Sequence, residues 1–226
     1  MKKSIFFSAI LLFVGVSTTL KAQFGIRGGV NLSSLSASAT ETTYSDYERN
    51  SILGYQLGLV APIKVSNTVA IQPELLWIQK GGKSTYGFSN SNKLVVSQTY
   101  NYVEVPVSLK LSFGQTSGNG IGAYVLVGPY LGLATGGKTK RELTIAGATT
   151  TTENSVNYDN SDKADRQKRL DYGGQVGAGV SIGKLFLDVR YSLGFNNLLD
   201  SDTNNSNDNS PYLRTRGLGL TAGFMF

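Results

Sequence analysis

Neither cysteine nor histidine occurs anywhere in the 226 residues of the chain. Without cysteine there is no disulfide, no thiol nucleophile and no thiolate metal site. Without histidine the commonest general base and metal ligand is missing as well. Charge is sparse, at 16% of residues, and only 5 prolines are present. A coiled coil carries far more charge than this, and a disordered chain does not carry 12 tyrosines and 10 phenylalanines. What the chain has in quantity is glycine, 27 residues of it, which suits many strands joined by turns. The length is that of a single all-β unit.

The formal net charge is +6, but part of it sits at the N-terminus. With Lys2, Lys3 and Lys21 set aside, basic and acidic residues nearly balance, and no basic stripe suited to nucleic acid remains. Those lysines belong to a segment that reads as an export signal. Lys2 and Lys3 give a positive start, residues 5–16 (IFFSAILLFVGV) an apolar run, and residues 17–22 a polar exit ending on the small Ala22. The apolar run is shorter than the roughly 20 residues that a membrane-spanning helix needs. Cleavage is expected after Ala22, leaving 23–226 as one domain with no cysteine for a lipid anchor. Nothing later in the chain has a helical apolar run long enough to span a membrane. The mature chain is therefore expected to be soluble or a barrel.

From Gln23 onward one theme repeats: segments of about ten residues alternate apolar with small or polar side chains, then break, as the strands of a two-faced sheet do. The segments fall near 24–32, 53–63, 69–80, 103–113, 121–135, 171–182, 185–195 and 218–226. The fourth is the clearest, with Val103, Val105, Val107, Leu109, Leu111 and Phe113 opposed to Glu104, Ser108, Lys110 and Ser112. The fifth is apolar on both faces, one of them thinned by Gly122, Gly128 and Gly132. An even number of segments puts both termini on one side, as a bacterial transmembrane barrel requires. The connections alternate too. Short ones lie at 64–68, 114–120 and 183–184, and long polar ones at about 34–50, 81–98, 136–169 and 196–212. Tight periplasmic turns with longer external loops have this pattern, whereas a soluble sandwich has no reason to collect its long loops at one end. Aromatics fall where two girdles belong: Phe24, Phe113 and Phe226 at the short-turn end, and Tyr55, Trp77, Tyr172 and Phe195 at the other. The expected fold class is all-β, an eight-stranded antiparallel up-and-down transmembrane β-barrel.

Several stretches resemble the outer-membrane β-barrel proteins called the porin family, whose architecture is that of the OmpX and OmpA transmembrane barrels. They are KAQFGIRGGVNLS (21–33), IQPELLWIQKGG (71–82), YVEVPVSLKL (102–111), GPYLGL (128–133), YGGQVGAGVSIGKLFLDVRYSLGFNN (172–197) and the terminal Phe226. The resemblance implies residence in the outer membrane of a Gram-negative bacterium. It also implies that Phe226 serves as a recognition signal for the outer-membrane assembly machinery. It implies no particular activity, because fold does not fix function.

The inner faces are expected to carry Arg27, Glu74, Lys80, Glu104, Lys110, Asp171, Asp188 and Arg190, balanced in sign. Such a set reads either as a gated polar conduit or proton relay, or as a salt-bridge network that fills a narrow barrel. The second is preferred, because eight strands enclose little beyond their own side chains and buried charges need partners. Glu74 and Glu104 on neighbouring strands suggest a carboxylate pair, but both face cations. The Ser–His or Asp–His arrangements of membrane-embedded hydrolases are impossible here. No enzyme activity, catalytic residue, cofactor or metal is expected. Residues 200–210 (DSDTNNSNDNS) begin like a calcium loop at Asp200, Asp202 and Asn204. They depart from that pattern with Asn205 in place of glycine and Pro211 in place of the final glutamate, so a solvated loop is the expectation. In 136–169, Lys138, Lys140, Arg141, Lys163, Arg166, Lys168 and Arg169 read either as contacts for lipopolysaccharide phosphates or as a solvated, disordered loop tip. The expected partners are thus outer-membrane lipid, lipopolysaccharide and the assembly machinery. A structural or surface-interaction barrel is the favoured function. A small-solute porin and a soluble lipocalin-like ligand-binding barrel are the alternatives.

Overall fold

The computed structural model describes residues 23–37, 46–89, 92–114, 120–156, 158, 167–198 and 212–226. The expected signal segment 1–22 lies outside the described residues, as do the whole of 200–210 and the cations Lys163 and Arg166. Among the described residues there are eleven strands: β1 (Gly25–Ala37), β2 (Asp46–Asn50), β3 (Ile52–Val60), β4 (Ile63–Lys64), β5 (Val69–Ser89), β6 (Asn92–Gly114), β7 (Ile121–Ile145), β8 (Ala148–Ser155), β9 (Leu170–Ile182), β10 (Leu185–Gly194) and β11 (Leu213–Met225).

Eight of them form a closed antiparallel ring. β1 pairs with β3, β3 with β5, β5 with β6, β6 with β7, β7 with β9, β9 with β10, β10 with β11, and β11 returns to β1. Closure removes the unpaired edges that a sheet in lipid cannot tolerate. The β1–β11 seam is regular along its whole length, from Gly25 opposite Met225 to Ala37 opposite Leu213.

Period-2 alternation decides the two faces. On β10, Leu185, Leu187, Val189, Tyr191 and Leu193 point out while Phe186, Asp188 and Arg190 point in. The apolar residues are therefore on the outside, with Leu57 60% and Leu59 55% exposed. In water such a surface would be untenable; in lipid it is satisfied. Trp77 meets Tyr55 edge-on at the hairpin end of this surface, 6.0 Å between ring centroids.

The expected loops at 81–98 and 136–169 need correction. β5 and β6 run through the first as one continued ladder, from Gly81 opposite Thr99 to Ser89 opposite Asn92. β7 continues to Ile145 and returns as β8, and β2 flanks β5. A small polar sheet thus rises from one side of the barrel. It has no lipid to face, so its strands lack the apolar alternation that marks the ring. Two turns use left-handed backbone. Gly183 (φ 57°) helps close the two-residue β9–β10 link, and Ala146 (φ 50°) with Gly147 (φ 85°) closes β7–β8 as a type I′ turn.

Candidate functional site

The polar interior is divided into two ionic layers. Nearer the short turns, Arg27 from β1, Glu74 from β5, and Asp188 and Arg190 from β10 form a closed quartet. Arg27 Nη1 lies 2.7 Å from Glu74 Oε2 and its Nη2 lies 3.1 Å from Asp188 Oδ1. Arg190 Nη1 lies 2.7 Å from Glu74 Oε1 and its Nη2 lies 3.0 Å from Asp188 Oδ2. Each carboxylate is held between both guanidiniums, the fork geometry in which arginine binds acids best. Neutral donors complete the shell: Gln72 donates to Glu74 at 2.7 Å, and Tyr124 and Thr221 donate to Asp188 at 3.0 and 2.7 Å. All four charged residues are buried. The position of Arg190 depends on Gly177 across the β9–β10 ladder, where an added Cβ would come within 2.8 Å of Arg190 Cγ.

The second layer lies toward the hairpin end. Lys80 Nζ is 2.5 Å from Glu104 Oε2 and 3.3 Å from Asp171 Oδ2. It also sits over the Tyr130 ring, 4.1 Å from the centroid, which offers the ammonium a cation–π contact. Asp171 Oδ2 accepts from Thr215 at 3.0 Å and from Tyr130 at 3.3 Å. Glu74 and Glu104, considered together in the sequence as a carboxylate pair, therefore belong to separate layers, each facing cations.

Lys110 joins neither layer. It is partly buried, and its ammonium rests 3.7 Å from the centroid of the Tyr124 ring near the short-turn mouth. Phe226, by contrast, is on the outer surface, 65% exposed. Its amide donates to the Phe24 carbonyl at 2.7 Å, and its ring meets Phe224 edge-on at 5.7 Å. The last residue thus sits on the seam between the first and last strands.

Sequence reasoning missed two apolar clusters that bracket the ionic layers. Val60, Tyr124, Leu126 and Phe186 pack together below the quartet, with Met225 against them. Ile78, Tyr100, Tyr102 and Ala134 pack above the lysine layer, with Leu35, Val156 and Tyr158 against them. Parity was the available signal. Tyr124 and Leu126 alternate in step with Gly122 and Gly128, and Tyr100 and Tyr102 in step with Glu104.

On the outer sheet, Lys138 lies 2.7 Å from Glu153 and Lys140 lies 2.9 Å from Glu142. Those hydrogen-bonded ion pairs hold both lysines above their ordinary pKa and both carboxyls below theirs. Arg169 stacks over Tyr158, 4.8 Å from its centroid, and burial pushes the Tyr158 hydroxyl up to about 12.

The model of the outer membrane protein β-barrel domain matches residues 16–200. The chain belongs to that family. Its place is the bacterial outer membrane, and the soluble lipocalin-like alternative is overturned, since the apolar face is the one turned to lipid. Among solved structures, Ail of Yersinia pestis is similar at 13% identity and a TM-score of 0.40, covering 91% of this chain and 99% of its own. Neisserial surface protein A is 12% identical with a TM-score of 0.41, covering 90% and 97%. OprG of Pseudomonas aeruginosa is 12% identical with a TM-score of 0.37, covering 91% and 96%. No curated protein matches the chain.

Proposed function

We propose that this barrel acts as a closed structural and surface-presenting element of the outer membrane, and that its interior is a plug. The observation that carries this reading is the Arg27–Glu74–Asp188–Arg190 quartet, which ties opposite walls together through β5 and β10. A small-solute porin needs a continuous wet path. Here any such path would have to pass the apolar cluster of Val60, Leu126 and Phe186, then two layers of mutually committed charges, then the tyrosine-rich cluster beyond. Opening it would break ion pairs in a low-dielectric interior, where an uncompensated charge costs several kcal/mol.

The partners follow from the surfaces. The aliphatic belt takes lipid, the cations of the hairpin end suit lipopolysaccharide phosphates, and Phe226 is the element offered to the assembly machinery. Planar-bilayer recording of the refolded full chain tests the central claim. The expected result is no steady conductance, with at most brief small openings. Stable, ion-selective channels in the unmodified chain would replace this reading with the porin.

A further inference from the structure

At the short-turn end, the barrel holds an open cavity of about 450 Å³. Three lysines line it: Lys64 beside the first short turn, Lys110 from the inner face of β6, and Lys184 from the exposed β9–β10 turn, whose ammonium rests 5.7 Å from the centroid of the outward Phe224 ring and must swing inward to meet a ligand. No aspartate or glutamate side chain is among its lining residues, and the carboxylate of the last residue, Phe226, is the one anionic group at its rim. Neither do the remaining short connections, 61–68, 114–120 and 183–184, contain a single acidic residue. The nearest interior carboxylates, Glu74 and Asp188, are each already engaged by two guanidiniums. Lys110 is thus the one cation of the interior set with no salt bridge, and its ammonium rests on the Tyr124 ring. The inner end of the cavity is apolar, formed by Phe186 and Met225, which belong to the cluster that seals the lumen.

We infer that this mouth is a binding site for an organic oxyanion, a phosphate or carboxylate carried on a small apolar body. The oxyanion sits between Lys110 and Lys184, with hydroxyls such as Ser112 as further donors, and the apolar body rests on Phe186 and Met225. Concavity, an apolar floor and a few convergent polar groups are the ordinary makings of a small-ligand site. A partly buried ammonium with no salt bridge of its own supplies charge-assisted donors to the entering anion. The cavity is larger than bare phosphate requires, which is why the ligand is expected to carry an apolar portion.

The site uses Phe186 and Met225 of the sealing cluster as its floor but needs neither of the two ionic layers behind it. Phenyl phosphate, inorganic phosphate and phenol, titrated calorimetrically into the full chain in nanodiscs of zwitterionic lipid, test it. Phenyl phosphate should bind saturably, inorganic phosphate more weakly, and phenol not at all. Lys110→Met should weaken phenyl phosphate binding roughly tenfold or more, the loss of one charge-assisted contact. Lys184→Gln, in an exposed turn, should weaken it as well. Heat-modifiable migration shows that each variant is folded, and Lys184→Gln stands as the test if Lys110→Met is not. Repeating the titration with anionic phospholipid in the disc identifies the source. Competition assigns the oxyanion to a lipid headgroup and its absence to a soluble solute, and either result upholds the site. Absence of saturable binding by both phosphate probes, or undiminished binding in the folded lysine variants, overturns the proposal.

Discussion

Arg190 on β10 reaches across the lumen to Glu74 on β5, with 2.7 Å between Nη1 and Oε1. The two strands lie on opposite sides of the ring, so the pair acts as a strut between walls that share no backbone hydrogen bond. Removing one partner leaves the other charge buried. Arg190→Gln is therefore expected to lower barrel stability by about 3–5 kcal/mol, read as a lower temperature of conversion to the unfolded band on gels. The double change Arg190→Met with Glu74→Leu should recover part of that loss, because it removes the charge as well as its partner. If the double variant were as unstable as the sum of the singles, the strut would be working through packing alone.

Much of the ring was legible because lipid imposes a strict rule on a strand. Every second residue between Val103 and Phe113 had to be apolar, so Glu104 and Lys110 could only face inward. Which acid meets which cation was not legible. Arg190 and Glu74 are 116 positions apart in the chain, and their meeting depends on the curvature of the whole ring. Nothing in the alternation separated Lys110 from its neighbours either, since the same parity serves a paired and an unpaired cation. The outer sheet was invisible for the opposite reason. Between Gly81 and Gln98 most described side chains are half-buried on both faces, with Val95 buried, so the ladder of β5 and β6 is held by backbone pairing without the strict apolar alternation that lipid imposes. Tyr124 and Tyr130 were hidden by the fifth segment being apolar on both sides, and Tyr100 and Tyr102 by lying just ahead of the fourth segment.

The β7–β8 turn contains a local conflict. Ala146 occupies left-handed backbone at φ 50°, which costs a residue with a Cβ about 1–2 kcal/mol. Asparagine tolerates this region far better and, followed by Gly147, gives the preferred pair for a type I′ turn. Ala146→Asn should therefore slow amide exchange across the hairpin, most clearly at Ile145 and Ala148, the pair that closes the turn. Unchanged or faster exchange would mean that the turn residue does not limit opening of the hairpin.

The same hairpin should respond to acid. The Glu142 and Glu153 carboxyls have folded-state pKa values below their ordinary range, owing first to the hydrogen bonds from Lys140 and Lys138. A lowered folded pKa means stabilisation that is present above the ordinary carboxyl pKa and is lost as pH falls through the folded value. Exchange protection of β8 should thus hold at neutral pH and decline below about pH 4, where glutamate normally protonates. Because both pairs are exposed, the effect is small and should shrink further in high salt. Glu153→Gln should flatten the acid dependence at its position. An unaltered acid profile in that variant would remove the ion pair from the explanation.

Phe226 lies on the β1–β11 seam, where its amide donates to Phe24 and its ring is exposed against Phe224. Two roles compete for such a residue. If it serves closure, its contribution is one backbone hydrogen bond and one aromatic contact at the end of a ladder that already runs from Gly25 to Ala37. An edge-on aromatic pair adds about 0.5–1.5 kcal/mol, so its loss should slow or weaken refolding only slightly. If it is the element read by the assembly machinery, the loss is felt before any seam exists, when the last strand is still a free segment ending in an aromatic. Phe226→Asp keeps the backbone amide that bonds to Phe24, yet replaces the ring with a charge. The expected outcome is a large fall in folded protein in the outer membrane of cells, beside nearly normal yield on refolding into detergent micelles. Comparing the heat-modifiable band from the two preparations measures both at once. Equal losses in cells and in micelles would confine Phe226 to local stability of the seam.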